Sequence, residues 1–113
     1  MKFEIIGEIP SKKNTLRFTR YGKPYQAKHK EMDGLIMQLV VQKNKYDVLP
    51  IIKQCKLEVV VSGSDRQDLN NTITTICDLL ENAGIVKNDR LIKDIRATKF
   101  VDNKRKWVNI EIS

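Results

Sequence analysis

The sequence predicts an α+β fold in a single compact domain spanning residues 1–113. A chain of 113 residues can build one hydrophobic core but is too short to divide further. Its hydrophobic content of 41% and charged content of 31% are ordinary for a globular protein. Apolar residues alternate along four segments and recur at helical spacing along two others. The predicted order is β, basic loop, α, β, α, β, β.

The first half of the chain predicts a strand, a basic segment and a helix. Residues 2–9 alternate, with Phe3, Ile5 and Ile9 on one face, and Pro10 ends the strand. Turn-forming residues 21–24 (YGKP) predict a small hairpin within the basic segment. Residues 28–44 predict a helix from apolar positions three and four residues apart, namely Met32, Leu35, Ile36, Leu39 and Val40.

The second half predicts one strand, one helix and two final strands. Residues 54–62 alternate, with Cys55, Leu57, Val59 and Val61 pointing inward. Residues 68–83 form the clearest helix, which Gly84 ends. Its predicted apolar stripe comprises Leu69, Ile73, Ile76, Leu80 and Ala83. Residues 90–100 and 106–112 read as strands joined by a hairpin turn at Asp102–Asn103.

The positive charge of the chain is concentrated in residues 11–30. This basic segment contains seven of the 21 Lys and Arg residues and no acidic residue, which leaves 14 basic against 14 acidic residues elsewhere. Phe18, Tyr21 and Tyr25 are interleaved with the charges. The pattern favours binding of a polyanion, chiefly nucleic acid, over a basic loop that is simply solvated. An acidic protein partner is the third interpretation.

The sequence carries no signal for a membrane or an export pathway. No apolar stretch approaches the roughly 18 residues of a membrane-spanning helix. Glu4 interrupts the short apolar run near the start, so we expect no signal peptide. Cys55 and Cys77 lie in apolar patterns without metal-ligand spacing and are expected to be reduced. Together these features predict a cytoplasmic protein without a membrane partner.

The stretch "DRQDLNN" at residues 65–71 has two interpretations. Asp68 is a preferred helix N-cap, and with Asn71 it would satisfy the first backbone N–H groups of the helix. Alternatively, Asp68 and Asp89 are the carboxylate ligands of a Mg²⁺ ion, with the Asn70 carbonyl oxygen as a weaker neutral ligand. Such an ion would activate water in a nuclease. The residues alone leave both interpretations open.

The stretch "DRQDLNNTITTICDLLENAGIVKNDRLI" resembles the signature of the RusA family of Holliday junction resolvases. The matching positions share the spacing of the family's acidic residues, helix and Ala-Gly turn; they are Asp68, Asn71, Asp78, Leu80, Ala83, Gly84 and Asp89. "GEIPSKKNTLRF" is similar to the family's loop after the first strand, and Lys99 falls where a trailing lysine often sits. The resemblance extends over nearly the whole chain.

Three positions depart from the family pattern. Asn70 stands where the family has its second catalytic aspartate, Thr74 where it has a catalytic lysine, and Asn88 where it has the first acid of a pair. An amide keeps an oxygen ligand but removes a charge, which should weaken Mg²⁺ binding. Loss of the lysine removes a cation that could stabilise the phosphate or the leaving oxygen.

The resemblance implies a Mg²⁺-dependent endodeoxyribonuclease, with Mn²⁺ as an alternative ion, that binds and resolves Holliday junctions and branched DNA in recombination and repair. It implies catalytic roles for Asp68, Asp89 and Asn70, with Asp68 and Asp89 as the metal ligands. The expected DNA-binding residues are Lys12, Lys13, Asn14, Arg17, Arg20 and Lys99. The alternative is a RusA-like junction-binding protein with weakened or lost cleavage. Small relatives of this kind are often encoded by a phage or prophage.

The resemblance also implies a homodimer, and chain geometry gives the dimer a role. A helix over residues 68–83 is about 22 Å long, and residues 84–88 span at most roughly 17 Å. We therefore expect residues 84–88 to be too short to bring Asp89 back beside Asp68 within one chain. We expect the two carboxylates to meet across the subunit interface, whereas Asp78, about 15 Å along the helix from Asp68, should not share its ion.

Overall fold

The computed structural model describes residues 1–10, 16–18, 24–26 and 30–113, with side chains described for residues 1–10 and 32–113. The elements are β1 (Lys2–Ile6), β2 (Leu16–Phe18), β3 (Pro24–Gln26), α1 (Lys30–Lys45), β4 (Cys55–Gly63), α2 (Leu69–Asn82), a 3₁₀ turn (Asp89–Leu91), β5 (Ile92–Val101) and β6 (Trp107–Ile112). The predicted α+β class and order of elements are confirmed. The basic segment contains the predicted hairpin, in which β2 pairs antiparallel with β3.

Four strands form one mixed sheet in the order β1-β6-β4-β5. β6 is antiparallel to both of its neighbours, and β5 is parallel to β4. The predicted hairpin between the last two strands is therefore wrong. After β5 the chain crosses the end of β4, where Asp102 N donates to Gly63 O at 2.9 Å and Ser62 Oγ donates to Arg105 O at 2.6 Å.

Burial agrees with the position of β5, and not β6, as the outermost strand of the sheet. β6 buries every second residue, whereas β5 is largely exposed, with Phe100 and Val101 at 56% and 57%, and a largely exposed strand suits the edge of the sheet. β5 also follows β4 through a helix, and such a crossover is what a parallel pair needs. The sequence pattern of β5 alone did not distinguish an edge strand from half of a hairpin.

Both helices pack on one face of the sheet and complete a single described core. The predicted inward residues of β1, β4 and β6 are all buried, and Leu35 and Leu39 of α1 meet them. Ile9 is also buried, although Gly7, with φ of 120°, ends β1 before it. Neither described helix is long and apolar enough to cross a membrane.

Two glutamines of α1 cover the free edge of β1. Gln42 accepts from Glu4 N at 2.8 Å and donates back to Glu4 O at 2.6 Å. Gln38 makes the same reciprocal pair with the backbone of Ile6, at 2.8 and 2.9 Å. The side-chain amides thus replace the neighbouring strand that an edge lacks.

The ends of α2 agree with the sequence prediction to within a residue. Asp68 is the N-cap, and Gly84, with φ of 73°, follows the C-cap. Gly84 N donates to Glu81 O and Ile85 N donates to Leu80 O, both at 3.0 Å, which is the Schellman arrangement. The predicted stripe needs one correction, because Thr72 and Thr75 are buried while Leu69 and Ile73 are only half-buried.

Candidate metal and nucleic-acid site

The candidate site is built on the unit β4–α2–β5. Because β4 and β5 are parallel, their carboxyl ends lie at the same end of the sheet, and residues 64–68 lead from that end into α2. Ligands of open α/β sheets commonly bind beyond the carboxyl ends of the strands. The helix also contributes the partial positive charge of its N-terminus there.

Asp68 caps α2 through one carboxylate oxygen and accepts from the Asn71 side chain through the other. Its Oδ1 accepts from Asn70 N at 2.9 Å, and its Oδ2 accepts from the Asn71 side-chain amide at 3.4 Å. The capping role predicted for Asp68 is therefore confirmed, whereas the Asn71 side chain donates to Asp68. An ionised carboxylate offers about four lone-pair sites, so an exposed Asp68 that caps the helix keeps acceptor capacity for a cation.

Gln67 and Lys99 hold the loop that presents Asp68. The Lys99 ammonium donates to the backbone carbonyl of Gln67 and, at 3.4 Å, to that of Asp65. The Gln67 side-chain amide donates to Thr72 Oγ1 at 3.0 Å and to Ile9 O at 3.3 Å. Gln67 Oε1 is buried without a partner among the described residues, which costs about 1–3 kcal/mol.

The basic segment begins beside the same corner. Ile9 O accepts from Gln67, and Pro10 O accepts from Thr75 Oγ1 at 3.4 Å. These two residues immediately precede the basic segment, and we call them its root. Lys12, Lys13, Asn14 and Arg20 lie outside the described residues, as does the Arg17 side chain, so their DNA-binding roles stay predictions.

Two of the family departures lie on the exposed start of α2. Thr74 donates from Oγ1 to Asn70 O at 3.0 Å, so its hydroxyl proton is used within the helix. The Asn70 side chain is exposed and makes no hydrogen bond with the described part of the chain. Asn88 caps the 3₁₀ turn by accepting from Arg90 N at 2.9 Å.

Asp89 lies in a cluster of three carboxylates. One oxygen each of Asp78, Glu81 and Asp89 lies within 4.8 Å of the other two. Two oxygens that bind one Mg²⁺ ion lie at most about 4.2 Å apart, so small side-chain movements would bring all three to one ion. Carboxylates are the hard oxygen donors that Mg²⁺ and Mn²⁺ prefer. The donor set therefore fits a divalent cation.

The chain does not bring Asp68 and Asp89 together. Asp68 precedes the first turn of α2, whereas one carboxylate oxygen of Asp89 lies within 4.8 Å of those of Asp78 and Glu81. Asp78 is about 15 Å along the helix from Asp68. In the βαβ unit, Asp68 follows the end of β4 and Asp89 precedes the start of β5. Since those strands are parallel, Asp68 lies at their carboxyl ends and Asp89 lies at their amino ends.

The pKa of the Cys77 thiol is raised chiefly by burial and secondarily by the carboxylates of this cluster. Burial raises the pKa of Cys77 to about 11, with the carboxylates of Asp89 and Asp78 as the next causes and Cys55 as the smallest. Burial alone raises the pKa of Cys55. Both cysteines are free, as the sequence predicted.

Sequence reasoning missed two members of this region. Glu81 follows Asp78 by three residues, a spacing that places both on one helix face, and this signal was available. Gln67 gave no comparable signal, because its partner Ile9 lies 58 residues away in the chain.

Comparison with known proteins identifies the family of the chain. The family described as "Endodeoxyribonuclease RusA" matches residues 9–113. A relative named crossover junction endodeoxyribonuclease RusA, from Aquifex aeolicus (strain VF5), is 27% identical over 56 residues, which cover 50% of this chain and 44% of the relative. The chain thus matches less than half the length of that relative. Since the family match spans nearly the whole chain, the protein belongs to the endodeoxyribonuclease RusA family.

Proposed function

We propose that this protein is a metal-dependent endodeoxyribonuclease that binds Holliday junctions and other branched DNA and cuts them by phosphodiester hydrolysis. Family membership supports the class of activity. The observation that carries the proposal is the position of Asp68, whose exposed carboxylate caps α2 and whose neighbour Gln67 donates a hydrogen bond to Ile9 O, just before the basic segment. The proposal places a phosphate held by that segment within reach of the carboxylate.

The ion would be Mg²⁺, or Mn²⁺ in its place, and it would activate water and offset charge on the phosphate. Asp68 and Asp89 would be its principal ligands, with Asp78 and Glu81 beside Asp89. Asn70 would contribute an uncharged oxygen. Since one chain holds Asp68 and Asp89 at opposite ends of α2, the proposal includes a homodimer in which each site takes Asp68 from one subunit and Asp89 from its partner.

The basic segment would bind the DNA backbone. Lys12, Lys13, Asn14, Arg17 and Arg20 would contact phosphates, which positions a junction without reading its sequence. Lys99 would place its charge at the same corner while it holds the loop before Asp68. A dimer suits a four-way junction, because two-fold symmetry supplies two active sites for two symmetric cuts.

A second candidate is a junction-binding protein with weakened or absent cleavage. Asn70 and Thr74 favour it, because neither supplies the charge that the family has at that position, and the Thr74 hydroxyl proton is donated to the backbone. Binding would then persist through the basic segment. We favour the enzyme because both Asp68 and Asp89 are present.

The first experiment incubates the protein with a labelled four-way junction and a matched linear duplex in Mg²⁺ or Mn²⁺, beside Asp68→Asn and Asp89→Asn. Asparagine caps a helix about as well as aspartate, so Asp68→Asn removes charge while the start of α2 is preserved. We expect symmetric cuts in the junction, and a loss of at least about 100-fold in either variant. Salt-sensitive junction binding without cutting in either metal would instead support the second candidate.

A further inference from the structure

The Gln67 side chain forms hydrogen bonds with residues outside its own loop. Its amide nitrogen joins two segments that are remote in sequence, through Ile9 O at 3.3 Å and Thr72 Oγ1 at 3.0 Å. Thr72 Oγ1 in turn donates to Asp68 O at 3.0 Å. One side chain therefore connects the root of the basic segment to the first turn of α2.

Gly63, at the end of β4, leaves the space that the Gln67 side-chain amide occupies. A Cβ added at Gly63 would lie 2.0 Å from Gln67 Oε1 and 3.2 Å from Gln67 Cδ. The same Oε1 is buried without a hydrogen-bond partner among the described residues. Exchanging the amide oxygen and nitrogen would not help, since it would direct the oxygen at the Ile9 carbonyl oxygen. The site thus keeps a polar group at an energetic cost, which a purely apolar filler would avoid.

We infer that Gln67 is a positioning residue that fixes the root of the basic segment relative to Asp68, so that a bound DNA phosphate lies opposite the Asp68 carboxylate. Its backbone takes part as well, because Gln67 N donates to Ser64 O at 3.1 Å and Gln67 O accepts from Lys99. Gln67 thus contacts four parts of the fold, and we call this set of contacts the brace: Gly63 at the end of β4, Lys99 of β5, Thr72 of α2, and Ile9 after β1. This inference rests on the proposed function.

The brace has a specific kinetic consequence. Gln67 contributes no charge, so it should add little to the binding of DNA phosphates. A misplacement of about 1 Å between reacting groups, however, can lower a rate by roughly 100-fold. Loss of the brace should therefore reduce kcat much more than it changes the Kd for the junction. A residue that merely stabilises the fold would lower Tm without changing kcat of the folded protein.

The test compares Gln67→Met and Gly63→Ala with the unmodified protein below their Tm. Methionine keeps the length of the side chain but lacks the donors, whereas alanine at position 63 displaces the amide from the other side. We expect kcat for junction cleavage to fall roughly 10- to 100-fold in each variant, with the metal-free junction Kd within about threefold. The double variant should lose little more than either single one, because both changes remove the same brace.

Gly34→Ala is the matched control, since a Cβ at that exposed helical position meets nothing within 4 Å. Its kcat should equal that of the unmodified protein. Unchanged kcat in both Gln67→Met and Gly63→Ala, or fully additive losses in the double variant, would overturn the inference.

A second readout separates this inference from the proposed function. If the unmodified protein binds junctions without cutting, hydrogen exchange with and without junction replaces kcat. Junction binding should then slow amide exchange at residues 68–72 and at Glu8 and Ile9, and Gln67→Met should abolish the protection at residues 68–72 while that at Glu8 and Ile9 remains. Protection that is equal in both proteins would overturn the inference. A protein that binds no junction at all would overturn both proposals together.

Discussion

At the scale of single residues, Asp68 combines a structural role with the chemistry proposed for it. Its two oxygens accept from Asn70 N and the Asn71 amide, and the carboxylate remains exposed. Capping fixes the rotamer, so a cation at this position would meet a carboxylate that needs no reorganisation. The two interpretations of "DRQDLNN" are therefore compatible.

The raised pKa of Cys77 gives a pH-dependent prediction at this scale. The thiolate is the reactive form, so alkylation by iodoacetamide in metal-free buffer should be slow at neutral pH and rise towards pH 11. Asp89→Asn removes a negative charge and should move the profile to lower pH. Because the folded-state pKa lies above the ordinary 9.0, the thiol's contribution to stability is complete below pH 9 and is lost as the pH rises towards 11.

The measurement uses a Cys55→Ala background, so that only Cys77 reacts. Asp94→Asn is the control, because it makes the same chemical change at an exposed position of β5 that is not among the causes of the shift. A profile that moves equally in both variants would contradict the assignment to Asp89.

At the scale of elements, the glutamine pair on β1 explains how a short edge strand is protected. Gln38 and Gln42 are one helical turn apart, and the backbone groups they meet belong to Glu4 and Ile6, two residues apart on the strand. The rise of about 6 Å over four helix residues is close to the length of two strand residues, so both pairs can form.

Replacing both glutamines by alanine should expose this edge. We expect Gln38→Ala with Gln42→Ala to lower the free energy of unfolding by about 1–3 kcal/mol, because four hydrogen bonds to β1 are lost and water replaces them only in part. Urea unfolding measures the loss, and size-exclusion chromatography with light scattering detects edge-to-edge association. Asn44→Ala, on an exposed face of the same helix, is the control and should change neither quantity. Unaltered stability in the double variant would contradict the protective role.

The elements also show where sequence reasoning succeeds. The bounds of α2 were predictable because their causes are local: an aspartate that caps the helix and a glycine that takes positive φ at its end. The partners of β5 were not, because strand pairing depends on contacts between segments that are remote in sequence. Likewise, Asp68 and Asp89 could be identified from a local sequence motif. The contacts of Gln67 could not, because its partner Ile9 is brought near only by the fold.

At the scale of the whole molecule, the described chain separates the parts of the proposed site. Asp68, Lys99 and the root of the basic segment share one end of the sheet, while Asp89 lies with Asp78 and Glu81 towards the other. A two-fold dimer is the simplest arrangement that could join them, since each interface would then create two equivalent sites. This arrangement predicts complementation between inactive subunits.

The prediction concerns a heterodimer of Asp68→Asn and Asp89→Asn subunits, isolated with two affinity tags. If each site takes Asp68 from one subunit and Asp89 from the other, one site of this heterodimer carries both substitutions and the second carries neither. We expect it to nick a four-way junction at about half the rate of the unmodified dimer, although both parent homodimers are inactive. A heterodimer as inactive as its parents would contradict a shared site.

The mirror heterodimer makes the assignment independent of how stable each subunit is. It pairs an unmodified subunit with one that carries both Asp68→Asn and Asp89→Asn, so it contains the same set of residues in a different distribution. Shared sites would each receive one substitution, and this heterodimer should be inactive, whereas sites confined to one chain would leave it about half active. Opposite outcomes in the two heterodimers therefore assign the carboxylates to subunits, because only their placement differs.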